Sequence, residues 1–338
     1  MRIAAIVTAG DRRASKAIHG ESKVYLEIGS RPLVAHVVAV LQRVPEICEV
    51  WVVGDAERLE AVFARADLRA ELCKPLHVVP QRRNLFENGW ETYRRLLPGA
   101  GPDGRDPGPE DVDLPVLYLS ADLPFATPQE ISTFVRRALE RRCDYALGVV
   151  DERAMAPFCV ADGGPGLRVA YFNLREGRVR QSNLHLIRPG CIGNRHYIEE
   201  MYEYRHQREF GSIAGLAWRL LRDERGGLVV FYYYALMHLA GLADRAGCAR
   251  LADRVRRWIP MARIERGCSA LLRGRFEFVA TEAGGCAADV DTEYEYEVSR
   301  LRYAEWHKAQ TELAERLYGP ALPAGTRAPD DAATGAET

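Results

Sequence analysis

The first 150 residues alternate between short apolar runs rich in β-branched residues and segments whose apolar residues recur with helical spacing. The apolar runs predict strands at 3–8, 50–53, 76–79, 116–120 and 145–150, and the periodic segments predict helices at 32–44, 57–66, 85–97 and 128–142. A strand that returns to the same sheet through a helix runs parallel to the strand before it. The pattern therefore predicts an α/β fold, a three-layer α/β/α sandwich with a mostly parallel, Rossmann-like sheet.

The remaining residues predict additions to this sheet. Strand patterns at 167–172 and 184–187 lie between turn residues and predict an antiparallel element laid against the parallel core. Further strands are predicted at 276–280 and 289–292, followed by a long amphipathic helix at 294–318. We therefore expect a core at 1–193, a helical insertion at 194–270, a closing strand, aspartate segment and helix at 271–318, and a disordered tail at 319–338.

Composition and charge exclude several classes of protein. The 46 Lys and Arg residues balance 47 Asp and Glu residues, whereas nucleic-acid binding requires a clustered basic excess. The eight cysteines contain no C-x-x-C pair, so we expect reduced thiols rather than a zinc site or a disulfide framework. The N-terminal segment lacks the pattern of a secretory leader. These features predict a cytoplasmic protein whose ligands are small molecules rather than nucleic acid.

One apolar stretch, Leu228 to Ala243, is a candidate for contact with a membrane. His238 interrupts it, and Asp244 and Arg245 end it, so it is shorter than the roughly 20 residues that cross a bilayer. A buried helix or a strand-helix pair is the favoured interpretation, and an acceptor pocket or a membrane-surface patch is the less favoured alternative.

The loop after the first predicted strand is a candidate anion site. Ala9, Gly10, Asp11, Arg12 and Arg13 stand at the carboxyl edge of the predicted sheet, where ligands of open α/β folds bind. A glycine there lets backbone N–H groups approach a phosphate closely. The loop matches neither G-x-G-x-x-G nor G-x-x-x-x-G-K-[ST], and a plain strand-to-helix turn would explain it equally well.

A second segment gives this loop a more specific interpretation. Five residues stand in a set order and spacing after it: Lys23, Gly29, Arg31, Pro32 and Leu33. With this segment the chain resembles the nucleotidyltransferase superfamily, and within it the NTP transferases of the molybdenum-cofactor guanylyltransferase-like group. The resemblance extends from residue 2 to about residue 298. It implies that Lys23 and the glycine loop bind a nucleoside triphosphate, and a compact ammonium group suits phosphate oxygens.

The resemblance also implies which residues contact the nucleoside. Gln81 is similar to the glutamine that contacts the base in several members of the superfamily. Asn88 lies in a segment similar to the one that lines the base and the ribose. Asn84 in the same segment has a second interpretation as a helix N-cap, which needs no ligand.

Acidic residues at two points of the chain resemble the metal ligands of the superfamily. Asp122 follows the strand predicted at 116–120 and resembles the metal aspartate of its D-x-P turn. Asp289 and Asp291 resemble the late D-x-D segment, and strand alternation would place both on one face. The resemblance implies Mg2+ held by Asp122 and Asp291, with Asp289 as support. The alternatives are a turn cap at Asp122 and an N-cap at Asp291 or Thr292.

The loop departs from the family pattern at its second glycine. Arg12 stands near that position, and Arg12, Arg13 and Lys16 are expected to supply positive charge instead. The departure leaves open a member of the superfamily that binds nucleotide without turning it over.

The acceptor side is predicted from the antiparallel element. Arg175, Arg180 and Asn183 lie near the strands that face the second substrate in related enzymes, so we expect them to hold an acceptor phosphate. Surface charge is the alternative for any one of these residues. The helical insertion is predicted to form an acceptor lid or the surface of a homodimer.

The function predicted from these features is Mg2+-dependent transfer of a nucleoside monophosphate from an NTP to a small phosphorylated acceptor, with release of pyrophosphate. Lys23, Asp122 and Asp291 are the predicted catalytic residues. Two alternatives stay open: a glycosyltransferase of the same architecture that uses a nucleotide-sugar, and a regulatory protein that binds nucleotide. A nucleotide-sugar has no γ-phosphate for Lys23 to hold, which favours a nucleotidyltransferase over a glycosyltransferase.

Overall fold

The computed structural model describes residues 1–10, 17–160, 164–195 and 227–328. Within these ranges the strands are β1 (Ile3–Ala9), β2 (Glu27–Ile28), β3 (Arg31–Pro32), β4 (Ile47–Gly54), β5 (Leu76–Pro80), β6 (Val116–Ser120), β7 (Tyr145–Asp151), β8 (Phe172–Leu174), β9 (Gly177–Ile187) and β10 (Phe276–Thr281). The helices are α1 (Leu33–Leu41), α2 (Ala56–Ala64), α3 (Ala66–Arg69), α4 (Leu85–Leu96), α5 (Pro128–Arg141), α6 (Glu152–Met155), α7 (Gly227–Arg245), α8 (Ala249–Arg256), α9 (Met261–Leu272) and α10 (Glu293–Tyr318).

The described strands form one mixed sheet of eight and a small antiparallel pair, β2 with β3. The large sheet has the order β10-β7-β9-β6-β1-β4-β5, and β8 pairs with β9. β6, β1, β4 and β5 run parallel to one another, and β10 runs parallel to β7, whereas β9 is antiparallel to both β6 and β7. The predicted α/β fold with a mostly parallel sheet is confirmed.

Helices cover both faces of the sheet. α1, α2 and α5 bury apolar side chains such as Val37, Leu59 and Phe134 against one face. α4 covers the other face through Tyr93, which packs with Ile6 of β1 and with Val79 of β5. Each layer is therefore fixed by burial of apolar area, which is the dominant favourable contribution to folding.

The antiparallel strand differs from the prediction. β9 does not lie against the parallel core but is hydrogen-bonded within the sheet, between β6 and β7. Leu167 forms only an isolated bridge with Cys159, and the partner strand β8 begins at Phe172. The physical reason is that a buried strand needs partners for its backbone groups on both edges, and the central position supplies them.

The described part of the insertion is helical. α7, α8 and α9 follow one another and pack on the outer end of the sheet, where Ile259 and Ile264 meet Phe276 and Phe278 of β10. The stretch from Leu228 to Ala243 falls within α7, and Ala240 and Ala243 are buried whereas Leu239 and Leu242 are exposed. The expected buried segment is therefore a helix with only one buried face. Residues 196–226 of the insertion lie outside the described residues.

The C-terminal tail is ordered further than the sequence predicts. Gly325 N donates to the carbonyl oxygen of Gln42, and Ala328 N donates to that of Pro45, both at 2.9 Å. These bonds satisfy carbonyls at the end of α1, so residues 319–328 do not form the expected disordered tail; residues 329–338 lie outside the described residues.

No helix among the described residues is long and apolar enough to cross a membrane.

A buried carboxyl group connects α5 to the turn after β10. Glu130 has no exposed surface, and it accepts hydrogen bonds from Thr281 Oγ1 at 3.2 Å and from Cys286 N at 3.1 Å. Burial raises the pKa of Glu130 to about 7, and the bonds from Cys286 and Thr281 oppose that rise. The group therefore holds the turn that precedes the late aspartates.

The raised pKa of Glu130 predicts a specific dependence of stability on pH. Between the ordinary pKa of 4.5 and the folded pKa of about 7, the folded protein retains a proton that the unfolded chain has lost, so stability falls as pH rises. Relative to Glu130→Gln, the wild type should lose up to about 3 kcal/mol of unfolding free energy across that window. Urea unfolding of both proteins at several pH values measures the difference; parallel profiles would contradict the assignment.

Candidate active site

The carboxyl edge of the sheet gathers the predicted site residues. β1 and β6 are parallel neighbours in which Thr8 is paired with Ser120, so Gly10 and Asp122 both follow strand ends at the same edge. β4 ends beside β1, and Gln81 N donates to the carbonyl oxygen of Gly54 at 2.7 Å. The strand register alone therefore brings three separate loops together.

Lys23 lies between two of the predicted metal ligands. Its Nζ donates to Asp122 Oδ2 and, at 2.6 Å, to Asp291 Oδ1. The side chain of Asp122 is 2% exposed and that of Asp291 is 54% exposed. The backbone of Lys23 forms a short 3-10 turn, Lys23–Tyr25, that fixes the start of the side chain. The two carboxylates thus share one cationic group at the border between the interior and solvent.

The charge of Lys23 is stabilised by this pair. Burial lowers the pKa of an ammonium group, but the carboxylates of Asp122 and Asp291 more than compensate and hold the pKa of Lys23 above its ordinary value. Lys23 therefore carries a positive charge at neutral pH in the folded protein.

Backbone contacts hold the two aspartate loops against each other. Val290 N donates to the carbonyl oxygen of Asp122 at 3.2 Å. A Cβ atom at Gly285 would lie 2.0 Å from the carbonyl oxygen of Phe125, so only glycine permits this approach. Residues 289–292 are not the strand that the sequence predicts, because this segment pairs with the turn after β6 rather than with a sheet edge.

Asp289 is buried behind the pair and is held by Arg180. Arg180 Nη2 donates to Asp289 Oδ1 at 2.6 Å, and its Nε donates to the carbonyl oxygen of Ala287 at 2.7 Å. Burial raises the pKa of Asp289 to about 6, with Arg180 opposing the rise and the nearby Asp291 adding to it. Arg180 thus anchors the aspartate segment in the described structure. The sequence predicted Arg180 only as a ligand of the acceptor and did not predict this contact.

Gly10, Gln81 and Asn88 meet beside this cluster. A Cβ atom at Gly10 would lie 2.9 Å from Asn88 Nδ2 and 3.5 Å from Gln81 Oε1. Asn88 is 4% exposed, and its Oδ1 accepts a hydrogen bond from Arg82 N. α4 positions Asn88, and Asn84 caps that helix by accepting from Glu87 N at 2.8 Å. Asn84 is therefore the cap of α4, and Asn88 faces the glycine loop; the contact of Asn88 with a nucleoside stays a prediction.

The other predicted residues are less closely grouped. Asn183 Nδ2 donates to the carbonyl oxygen of Cys286 at 3.4 Å, on the same segment that carries Asp289. Arg175 lies at the turn between β8 and β9, where it pairs with Glu176 at 3.0 Å and its backbone N bonds Ile259. Asp11, Arg12 and Arg13 lie outside the described residues.

Sequence reasoning missed one residue of the cluster. Ser120 Oγ donates to Asp122 Oδ1, so this carboxylate is held by a hydroxyl as well as by Lys23. Ser120 stands two residues before Asp122 at a strand end, and the strand period of two places such residues on one face. That spacing is the signal that could have identified it.

Comparison with known proteins agrees with the superfamily and the fold. A curated 2-C-methyl-D-erythritol 4-phosphate cytidylyltransferase from Chlorobium luteolum is 26% identical over 140 residues, which are 41% of this chain and 55% of that protein. The predicted resemblance to the nucleotidyltransferases is confirmed. The chain spans about half the length of that relative. No family model matches the chain.

Two solved structures match most of the chain. A hypothetical transferase from Thermus thermophilus matches with a TM-score of 0.50 and 21% identity, over 87% of this chain and 99% of the other. A 4-diphosphocytidyl-2C-methyl-D-erythritol synthase from Anaerococcus prevotii matches with a TM-score of 0.43 and 13% identity, over 90% of this chain and 98% of the other. The Thermus structure shows that the fold of this chain recurs over 87% of its length.

Removing the shared cation should destabilise the protein. Lys23→Met leaves the buried Asp122 carboxylate without its ammonium partner, beside two further aspartates. We expect the free energy of unfolding to fall by about 3 kcal/mol, since removing one partner of a buried pair costs about 3–5 kcal/mol. Urea denaturation without nucleotide or metal measures the loss.

The matched control is Lys308→Met, because Lys308 is 77% exposed and lies 3.9 Å from Glu312. Its effect should stay within about 0.5 kcal/mol. Equal stability of the two variants would contradict a structural role for the Lys23 cluster.

Proposed function

We propose that the protein is a nucleotidyltransferase that transfers a nucleoside monophosphate from an NTP to a phosphorylated acceptor and releases pyrophosphate. The observation that carries this proposal is the contact of Lys23 with both Asp122 and Asp291, at the sheet edge that also holds Gly10. A cation beside a glycine strand end suits the triphosphate of the donor.

The chain's own residues act by binding and orientation. The triphosphate takes the position next to Gly10, and Lys23 Nζ exchanges a carboxylate oxygen for phosphate oxygens. The amides of Gln81 and Asn88 offer hydrogen bonds to the base and ribose, because both lie within reach of the glycine loop. An ionised acceptor phosphate is already nucleophilic, so alignment and neutralisation of charge supply the rate enhancement and no protein nucleophile is required.

The donor set fits a magnesium ion. One oxygen of Asp122 and one of Asp291 lie within hydrogen-bond distance of the same nitrogen atom, so the two carboxylates are close enough to share a cation. Mg2+ is bound by one or two carboxylates together with substrate phosphates, and no group of three or more His, Cys, Asp or Glu ligands occurs among the described residues. Asp122 and Asp291 would hold the ion, and Asp289, held by Arg180, would support them. When bound, the ion neutralises charge on the phosphates.

CTP is the donor that we propose, because the curated relative is named as a cytidylyltransferase. The acceptor that we propose is a small phosphorylated alcohol or sugar, with Arg175, Arg180 and Asn183 as its predicted ligands. Asn183 and Arg180 both contact the 286–289 segment, which places them beside the aspartates rather than remote from them.

Asp122→Asn should abolish most of the activity. Pyrophosphate release is measured with CTP and Mg2+ in the presence of 2-C-methyl-D-erythritol 4-phosphate or glucose 1-phosphate. We expect kcat/KM to fall by about 100-fold or more, because a neutral amide holds the metal ion more weakly than a carboxylate and the phosphates then lose the charge that neutralises them. The control Asp106→Asn removes an equal charge from a side chain that is 86% exposed, and it should leave the rate unchanged.

A thermal-shift panel of CTP, GTP, UTP, ATP and dTTP with Mg2+ accompanies these rates, since a ligand of the native state raises its apparent stability. Absence of both stabilisation by any triphosphate and pyrophosphate release would falsify the proposal. Stabilisation without release would support the regulatory alternative instead.

Gly10→Ala tests the position of the nucleoside. The added methyl group lies 2.9 Å from Asn88 Nδ2 and must displace that amide. We expect the affinity for CTP to fall about tenfold, as for a loss of one to two hydrogen bonds, with a small change in the melting temperature. Calorimetric titration measures the affinity, and wild-type affinity would place the nucleoside elsewhere.

A further inference from the structure

The helical insertion carries an exposed apolar surface that the proposed reaction does not use. Six large side chains form it, and we call them the insertion surface: Tyr232, Tyr234, Leu239 and Leu242 on α7, Leu251 on α8, and Trp258 just after α8. Trp258 is 68% exposed and Leu242 is 58% exposed. Single exposed apolar residues are ordinary, but a group this large on two successive helices marks an interaction site.

The exposed residues of α7 share one side of the helix. Leu236, Met237, Ala240 and Ala243 face inward, where Leu236 and Met237 pack with the cluster that includes Ile264 and Phe278. Tyr232, Leu239 and Leu242 are separated by seven and three positions, so they lie along one stripe on the opposite side. The inner face secures the helix to the sheet, and the outer stripe is exposed.

Basic residues accompany the apolar ones on α8. Arg250, Arg254 and Arg257 are exposed, and none of the three forms an ion pair among the described residues. Arg256 differs, because it pairs with Asp253 at 2.6 Å and with Asp244. At helical spacing Arg250, Arg254 and Arg257 occupy the same exposed arc as Leu251 and Trp258. The surface is therefore apolar, aromatic and cationic together.

This charge argues against a second copy of the chain as the partner. A two-fold symmetric interface places the same patch on both subunits, so the three arginines of each subunit would enter one interface. Such an arrangement opposes like charges at short distance. An anionic partner that also accepts Trp, Tyr and Leu complements the surface in both respects.

We propose that the insertion surface binds the surface of an anionic lipid bilayer. Tyr and Trp side chains favour the boundary between headgroups and acyl chains, Leu side chains enter the acyl region, and arginines attract anionic headgroups. α7 and α8 would lie in the plane of the interface, with the sheet on the side away from the lipid. This mode needs no spanning segment, in agreement with the absence of one among the described helices. The proposal does not depend on the nucleotidyltransferase reaction.

Sedimentation of the full-length chain with vesicles tests the proposal. Vesicles of phosphatidylcholine with about one third phosphatidylglycerol should bind the protein at low ionic strength, and vesicles of phosphatidylcholine alone should bind it weakly. Arg254→Ala should lower the partition coefficient about fivefold, since each basic residue near an anionic surface contributes about 1 kcal/mol. Leu242→Ala should lower it about tenfold.

Each substitution has a matched control elsewhere on the chain. Arg69→Ala removes an exposed arginine from α3, between β4 and β5 at the other edge of the sheet, and Leu301→Ala removes a leucine from α10 that is 72% exposed. Both controls should bind as the wild type does, and melting temperatures establish that all four variants fold. No binding to anionic vesicles, or equal loss in the controls, overturns the proposal. A dimer in solution that Leu242→Ala dissociates also overturns it, because the surface would then belong to a second copy.

Discussion

The ammonium group of Lys23 lies between carboxylates from two distant parts of the chain, and the site depends on that contact. Asp122 follows a central strand and is almost fully buried, whereas Asp291 follows the last strand and is half exposed. Three aspartates at one sheet edge repel one another, and the interior disfavours their ionised forms. Lys23 contacts two of them and Arg180 contacts the third, so two cations offset the charge of three carboxylates. The two carboxylates raise the pKa of Lys23 against the effect of burial, whereas burial is the main cause of the raised pKa of Asp289 and the neighbouring aspartates add to it.

Backbone contacts hold the loops of the site close together. The backbone N of Val290 donates to the carbonyl oxygen of Asp122, and Gly285 packs against the carbonyl oxygen of Phe125. The carboxylate of Glu130 accepts a hydrogen bond from the backbone N of Cys286. Each contact joins the late aspartate segment to the turn after β6 or to α5. The acidic segment is thus part of the core structure and not an appendage. A ligand that replaces the Lys23 contacts meets a site whose backbone is already in place, which reduces the cost of ordering on binding.

Much of the fold follows from the sequence, because apolar runs and their periodicity are local signals. The strand 116–120 matches β6, and the helix predicted from 294 matches α10 to within one residue. The segment 289–292 is extended in sequence pattern but has no strand partner, and pairing is a tertiary property that alternation does not report. The central position of β9 and the binding of residues 325 and 328 to α1 and the turn that follows it are tertiary for the same reason.

The candidate site could likewise be predicted only in part. The resemblance indicated Lys23, Asp122, Asp289 and Asp291, and the structure brings these four residues together. The resemblance did not predict that Arg180 binds Asp289, because that contact joins residues 109 positions apart. Arg175, at the turn between β8 and β9, has its described contacts with Glu176 and Ile259. The exposed stripe of α7 was also beyond the sequence, since apolar composition does not distinguish a buried face from an open one.

A structure of the protein with CTP and Mg2+ tests the central claim most directly. The account predicts the triphosphate over Gly10, the base beside Gln81 and Asn88, and Lys23 Nζ on phosphate oxygens. It also predicts that Asp122 and Asp291 share the metal ion while Arg180 remains on Asp289. CTP bound elsewhere, with Lys23 still joining the two aspartates, would contradict it.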